Sequence, residues 1–300
     1  MSGKQPNFIL IGSPKSGTTS VYEYLKQHPD IFLSENKEPK FFSFLNHDLN
    51  YTGHEKAVSQ IMSSTPRTWE EYLKLFDTAS TAKIIGEASP IYFHFPGTAE
   101  NIANKLPEVK LAVILRNPVD RLYADWKHNI RMGWEPIKNF EKALNAWEDR
   151  KSLNWFPYLD YLPKGMYGSH LQEFLKYFDR SQIHVMFYED LKKRPNELVK
   201  SLFRFLNVAD DIIVDTTTVY MKGTPIIANE KVDFWANRFK GFFKRKGISF
   251  LTFIPDLFLK SYQIPDEMPA KLRKKYTAYF KKDIHLLERL LDKDLSHWYA

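Results

Sequence analysis

The chain has 300 residues, 43% apolar and 15% aromatic, enough to bury one sizeable core. It has no cysteine, which excludes a disulfide scaffold, thiolate zinc sites and cysteine nucleophiles. Its 43 Lys+Arg against 36 Asp+Glu give a net charge of +7, an excess that suits an anionic ligand but is also met by ordinary solvated lysines.

Short apolar runs alternate with helical stretches, the pattern of a parallel α/β sheet. The predicted strands are Phe8–Ile11, Ile31–Leu33, Lys83–Gly86, Lys110–Arg116 and Ile183–Tyr188. After the first strand, Val21, Tyr24, Leu25 and His28 share one helical face. Asn196–Leu206 reads as a helix with Leu198, Leu202, Phe205 and Leu206 on one face and Pro195 in its first turn. A last helix is predicted over Ala270–Leu291, with Leu272, Tyr276, Tyr279, Phe280, Leu286, Leu287 and Leu290 mostly on one side. No repeat, low-complexity run or polar linker divides the chain, so one α/β domain over 1–300 is expected. Its central parallel sheet would be flanked by helices. No signal peptide or apolar span of membrane-crossing length is visible, which points to the cytoplasm. No nucleic-acid-reading motif appears, so no nucleic-acid partner is expected.

Residues 8–19 read FILIGSPKSGTT. A strand breaking into a Gly-rich loop before a helix is how proteins cradle phosphate, with loop N–H groups and the helix N-terminus facing the anion. A nucleotide triphosphatase loop places Lys after the second Gly. Here Gly12 and Gly17 have that spacing, but the lysine is Lys15, inside the loop, and Thr18 and Thr19 follow Gly17. The Lys-Ser/Thr pair that serves terminal phosphates and Mg²⁺ is missing, and no metal site is expected. A second segment, KEPKFFSF at 37–44, puts Glu38 beside an aromatic cluster, where a carboxylate can act as a general base. A third, GEASPIYF at 86–93, offers Glu87, Ser89 and Tyr92 to the mouth of a site. In LAVILRNPVDRLYADWKH at 111–128 a buried strand ends in Arg116, and Asn117-Pro118 turns the chain into a helix carrying His128. Arginine at a strand end can hold a phosphate bidentately.

These motifs resemble those of the sulfotransferases that use 3′-phosphoadenosine 5′-phosphosulfate (PAPS), above all the heparan-sulfate type. Pro14–Thr19 match the family's phosphosulfate loop without a gap, and the likeness spans nearly the whole chain. The resemblance implies PAPS as cofactor, held by Ser13, Lys15, Ser16, Gly17, Thr18 and Thr19, with Arg116 on the 3′-phosphate. It implies Glu38 as the base that takes the acceptor proton, with His128 as the substitute base, and Lys15 as the catalytic cation. A Lys-Gly loop at Lys222-Gly223 would close over the cofactor. Two positions depart from the family pattern. Ala124 stands where a serine contacts the 3′-phosphate, and Ala88 where some members carry a lysine. The acceptor implied is a hydroxyl-bearing sugar or small metabolite.

The other enzyme reading is a Mg-ATP-dependent P-loop kinase, which needs an acidic metal ligand at a strand end where this chain has Arg116. A non-catalytic nucleotide-binding module is a third. Serine- and zinc-hydrolase readings fail for want of G-x-S-x-G and H-E-x-x-H. Residues 234–262 interleave aromatics with Arg238, Lys240, Lys244, Arg245 and Lys246, which fits a packed amphipathic helix, a lid, or peripheral membrane contact.

Overall fold

A computed structural model describes residues 4–45, 47, 50–53, 55–79, 81–218, 220, 225–227 and 263–299. Lys222, Gly223 and the 234–262 stretch lie outside these residues. Five strands form one parallel sheet: β1 Phe8–Gly12, β2 Ile31–Leu33, β3 Ile84–Ala88, β4 Lys110–Leu115 and β5 Ile183–Phe187. Their order is β2-β3-β1-β4-β5. Each predicted strand is present, with ends moved by a residue or two.

Side chains alternate between the sheet's two faces, and each face has its own core. Ile9, Ile11, Leu111, Val113 and Leu115 join one apolar cluster, while Phe8, Leu10, Ala112 and Ile114 join the other. Two helices cover the second face: α1, Thr18–Leu25, through Val21, Tyr24 and Leu25, and a later helix, Pro195–Leu206, through Leu198, Val199, Leu202 and Phe203. His28, predicted on α1's apolar face, is buried and hydrogen-bonded through Nε2 to the Ala209 carbonyl at 2.9 Å.

Three helices on the first face matter for the site: α2, Pro118–Arg131; α3, Tyr167–Phe174; and α5, Ala270–Leu291, which follows α4, the Pro195–Leu206 helix. Asn117 caps α2 by accepting from the Val119 N–H at 3.0 Å, with Pro118 next in the first turn. The α3 N-terminus is capped from a distance: Asp283 of α5 accepts from the Gly168 and Ser169 N–H groups at 2.7 and 2.9 Å. The apolar face of α5 is narrower than expected. Tyr276, Phe280, Ile284 and Leu287 are buried, but Tyr279 is 49% exposed.

Parallel pairing sets Phe8 opposite Gly86 and Leu10 opposite Ala88 on one side of β1, and Leu10 opposite Ala112 on the other. At Gly86 a Cβ would lie 2.5 Å from the Phe8 carbonyl oxygen, a backbone atom that cannot swing aside. Gly86→Ala should therefore cost about 2 kcal/mol, read as a lower midpoint of urea unfolding with the slope unchanged.

Candidate active site

The loop 13–17, Ser89 and Arg116 follow the carboxyl ends of β1, β3 and β4, three adjacent strands. The chain leaves β1 for strands on either side of it, the place where open parallel sheets bind ligands. The Ser13 N–H donates to the Ile114 carbonyl at 2.9 Å, so the loop is fastened to β4 as well as β1. Gly17 has φ 96°, and a Cβ there would lie 2.4 Å from Leu191 Cδ2. Only glycine fits both the backbone and the space.

Lys15 stands at the loop's apex with φ 63°, in the left-handed region. Its ammonium has no hydrogen bond or ion pair among the described residues. Burial pulls it down to about 8, against the opposing pull of Asp125 and Glu38. The Arg116 guanidinium lies 4.7 Å over the Tyr188 ring, and Nη1 donates to the Lys15 carbonyl at 3.2 Å. Two buried atoms here, Ser16 Oγ and Arg116 Nε, have no hydrogen-bond partner among the described residues. Leaving such donors unmet is costly, and an anion with several oxygens would satisfy them.

Glu38 also has left-handed backbone, φ 67°, and its side chain is 35% exposed. Its N–H donates to the Ala88 carbonyl at 3.0 Å, which hangs the turn on the end of β3. Lys37 bridges the turn to the loop: Nζ donates to Thr19 Oγ1 at 2.7 Å and lies 3.8 Å from Glu38 Oε1. Thr18 is buried on α1, as are Ser13 and Ser16 in the loop.

His128 sits on α2 against Trp134, ring centroids 6.2 Å apart. Burial and then the Lys15 charge pull it down to about 4, so the ring is neutral at pH 7. Tyr158 packs 5.6 Å from Trp134, and burial, then Glu38 and Asp125, push its phenol well above the ordinary value. Lys15, Glu38, His128, Tyr158 and Asp125 are thus electrically coupled neighbours.

Glu87, Ser89 and Tyr92 do not line the mouth, as the sequence suggested. All three are fully buried behind the Glu38 turn, because β3 runs two residues farther than predicted and carries them under the aromatic cluster. The sequence reading also missed Lys37, Tyr158, Lys164 and Tyr167. The Tyr167 hydroxyl accepts from Ser13 Oγ at 3.5 Å. Lys164 is buried and donates to Asp125 Oδ2 at 2.9 Å, while Arg121 donates to the same oxygen at 3.1 Å. The Arg121–Asp125 spacing of four could have been read from the helix, but Lys164 comes from 39 residues away.

A family model described as a sulfotransferase domain matches residues 5–286. The chain belongs to the sulfotransferase family. It is similar to a sulfotransferase from Alicyclobacillus acidocaldarius, at 29% identity and TM-score 0.78, over 99% of this chain and 100% of that one. It is 29% identical over 212 residues to bifunctional heparan sulfate N-deacetylase/N-sulfotransferase 4 of Mus musculus, covering 68% of this chain and 22% of that protein. Membrane-associated sulfotransferase kil1 of Dictyostelium discoideum is 25% identical over 282 residues, covering 68% of this chain and 56% of kil1. The chain therefore spans well under two thirds of these curated relatives. No helix among the described residues is long and apolar enough to cross a membrane.

Burial raises the Asp125 carboxyl, but Lys164 and Arg121 outweigh it and hold it well below its ordinary 3.8. Its stabilising contribution is complete above that value and fades as pH falls into strong acid. Asp125→Asn strands two buried cations and should cost about 3–5 kcal/mol at pH 7. Thermal unfolding checks this, and the double variant with Lys164→Met should recover part of the loss.

Proposed function

We propose that this sulfotransferase moves a sulfuryl group from PAPS to an acceptor hydroxyl. The observation that carries the reading is Lys15: an unpartnered ammonium at the apex of a phosphate-type loop, lying in the fields of Glu38 and Asp125. The buried, unmet Ser16 Oγ and Arg116 Nε and the glycine-only cradle at Gly17 fit a phosphate-bearing donor. Ser13, Ser16, Gly17, Thr18 and Thr19 would hold its 5′ end through loop N–H groups and hydroxyls, and Arg116 its 3′-phosphate. When bound, PAPS supplies the activated sulfuryl group.

The chain's own residues do the rest by position and charge. Lys15 offers a cation where negative charge builds on the departing phosphate oxygen. Its lowered affinity for protons still leaves it mostly charged at pH 7. Glu38 accepts the proton that the acceptor hydroxyl gives up. Its strained turn and its tie to Ala88 hold the carboxylate beside the loop while leaving it open to solvent and acceptor. His128, neutral at pH 7, is the second proton acceptor. The aromatic walls of Trp134 and Tyr158 suit stacking on a sugar or a flat ring. Lys222 and Gly223 are assigned to closure over the donor by their motif alone. Cytoplasmic localisation, and an acceptor that is a sugar or small metabolite, belong to the same proposal.

Calorimetric titration with 3′-phosphoadenosine 5′-phosphate tests the donor. Tight binding, weakened about ten- to a hundredfold in Arg116→Ala and also reduced in Lys15→Ala, is expected. Response to ATP with Mg²⁺ but none to the bisphosphate would return the kinase reading. Glu38→Gln should keep bisphosphate affinity and lose about a hundredfold or more in transfer rate. Transfer surviving in that variant but lost in His128→Ala would move the base to His128.

A further inference from the structure

The proposed chemistry leaves one cation beside the loop unused. Lys37 is half-buried and stands between the Glu38 turn and the first turn of α1. Its backbone N–H donates to the Glu35 carbonyl at 2.8 Å, and the next N–H, that of Glu38, donates to the Ala88 carbonyl. Its ammonium lies 5.8 Å over the Tyr22 ring. The Tyr22 hydroxyl in turn donates to the Ser34 carbonyl at 2.7 Å, where the chain leaves β2. Backbone and stem are thus both held, and the head group is aimed at α1. Two partners meet it there. Thr19 Oγ1 accepts from Nζ at 2.7 Å, a short charge-assisted hydrogen bond, whereas Glu38 Oε1 is 3.8 Å away. A partly exposed ion pair at such a distance contributes less than about 1 kcal/mol, so Thr19 is the main hold.

Chemistry fixes the direction of the Thr19 bond. An ammonium only donates, so Thr19 Oγ1 must accept, and its own hydrogen is left to give away. Among the described residues that hydrogen meets no acceptor. Threonine hydroxyls in helices otherwise bond to a carbonyl of the preceding turn, and a hydroxyl spent in that way offers nothing to an anion. We propose that Lys37 is a positioning residue: by donating to Thr19 it keeps the threonine hydroxyl as a free donor for the 5′-phosphate of the bound nucleotide. This role rests on the loop holding that phosphate.

Calorimetric titration of the whole chain with two nucleotides tests it. 3′-Phosphoadenosine 5′-phosphate carries the 5′-phosphate, and adenosine 3′-monophosphate lacks it. Lys37→Met should bind the bisphosphate about tenfold more weakly and the monophosphate as wild type does. Lys37→Arg should recover most of the loss, since a guanidinium can donate to the same oxygen. Thr19→Val should weaken bisphosphate binding as well, and the double variant should be little weaker than Thr19→Val alone, because the lysine acts through that hydroxyl. Equal loss of both nucleotides in Lys37→Met would make the lysine a structural prop and overturn the proposal. Undiminished bisphosphate affinity would do the same, as would losses that add in the double variant, which would put the ammonium on the phosphate itself. Wild type that binds ATP with Mg²⁺ and not the bisphosphate overturns the PAPS reading alone, and the same set of variants titrated with ATP then decides the role of Lys37. Wild type that binds neither overturns both.

Discussion

The site depends on parallel pairing. Because β1, β3 and β4 run the same way and lie side by side, everything that follows their carboxyl ends arrives at one edge of the sheet. The phosphate-type loop leaves β1, Ser89 leaves β3 and Arg116 leaves β4. The Glu38 turn, although it follows β2, is hung on the Ala88 carbonyl at the end of β3. A one-residue slip of β3 would interchange its two faces and move Glu87 away from Tyr72 into the other core. The close approach of Gly86 to the Phe8 backbone fixes that register.

Charge is the second ordering principle. Around the loop the cations Lys15, Lys37, Arg116, Arg121 and Lys164 outnumber the carboxylates Glu38 and Asp125. Burial pulls the Lys15 ammonium down, against Asp125 and Glu38, and Lys164 and Lys37 add to the pull. The proposed anionic donor would lower the cost of that burial. Burial, and then the Lys15 charge, keep His128 neutral, which leaves a nitrogen lone pair available near the loop. Buried hydrogen bonds stiffen this constellation from below. Asn117 of the Arg116 turn donates to the Trp298 carbonyl, and the Trp298 ring packs on Tyr167 and Phe187.

Much of this was legible in the sequence because it is local. The five strands, the glycine-and-lysine loop, the Asn117-Pro118 cap and the apolar face of the Pro195–Leu206 helix each follow from residues close together in the chain. What stayed hidden depends on pairing across distance. Lys164 meets Asp125 over 39 residues, and Tyr167 meets Ser13 over 154. Neither partner looks unusual alone. The third motif was located correctly but read to the wrong side. The sheet is covered on both faces, so Glu87 and its neighbour Ala88 are both inside, and that cover comes from residues distant in the chain. Tyr279 shows the same limit on a helix: its spacing matched the apolar face, but the neighbouring elements did not reach far enough to cover it.

Asp125, Arg121 and Lys164 form a closed arrangement in which one carboxylate oxygen serves two buried cations. Each member is tolerable inside the protein only because of the others. Replacement of such a trio has a preferred order: losing Asp125 first strands two buried cations, whereas losing either cation leaves the other paired with Asp125. Across related chains the carboxylate should therefore be kept wherever either cation is kept, while one cation can be exchanged before the other. Where the trio is absent, its buried positions should be filled by uncharged side chains, and the lysine of the loop would then meet a different field.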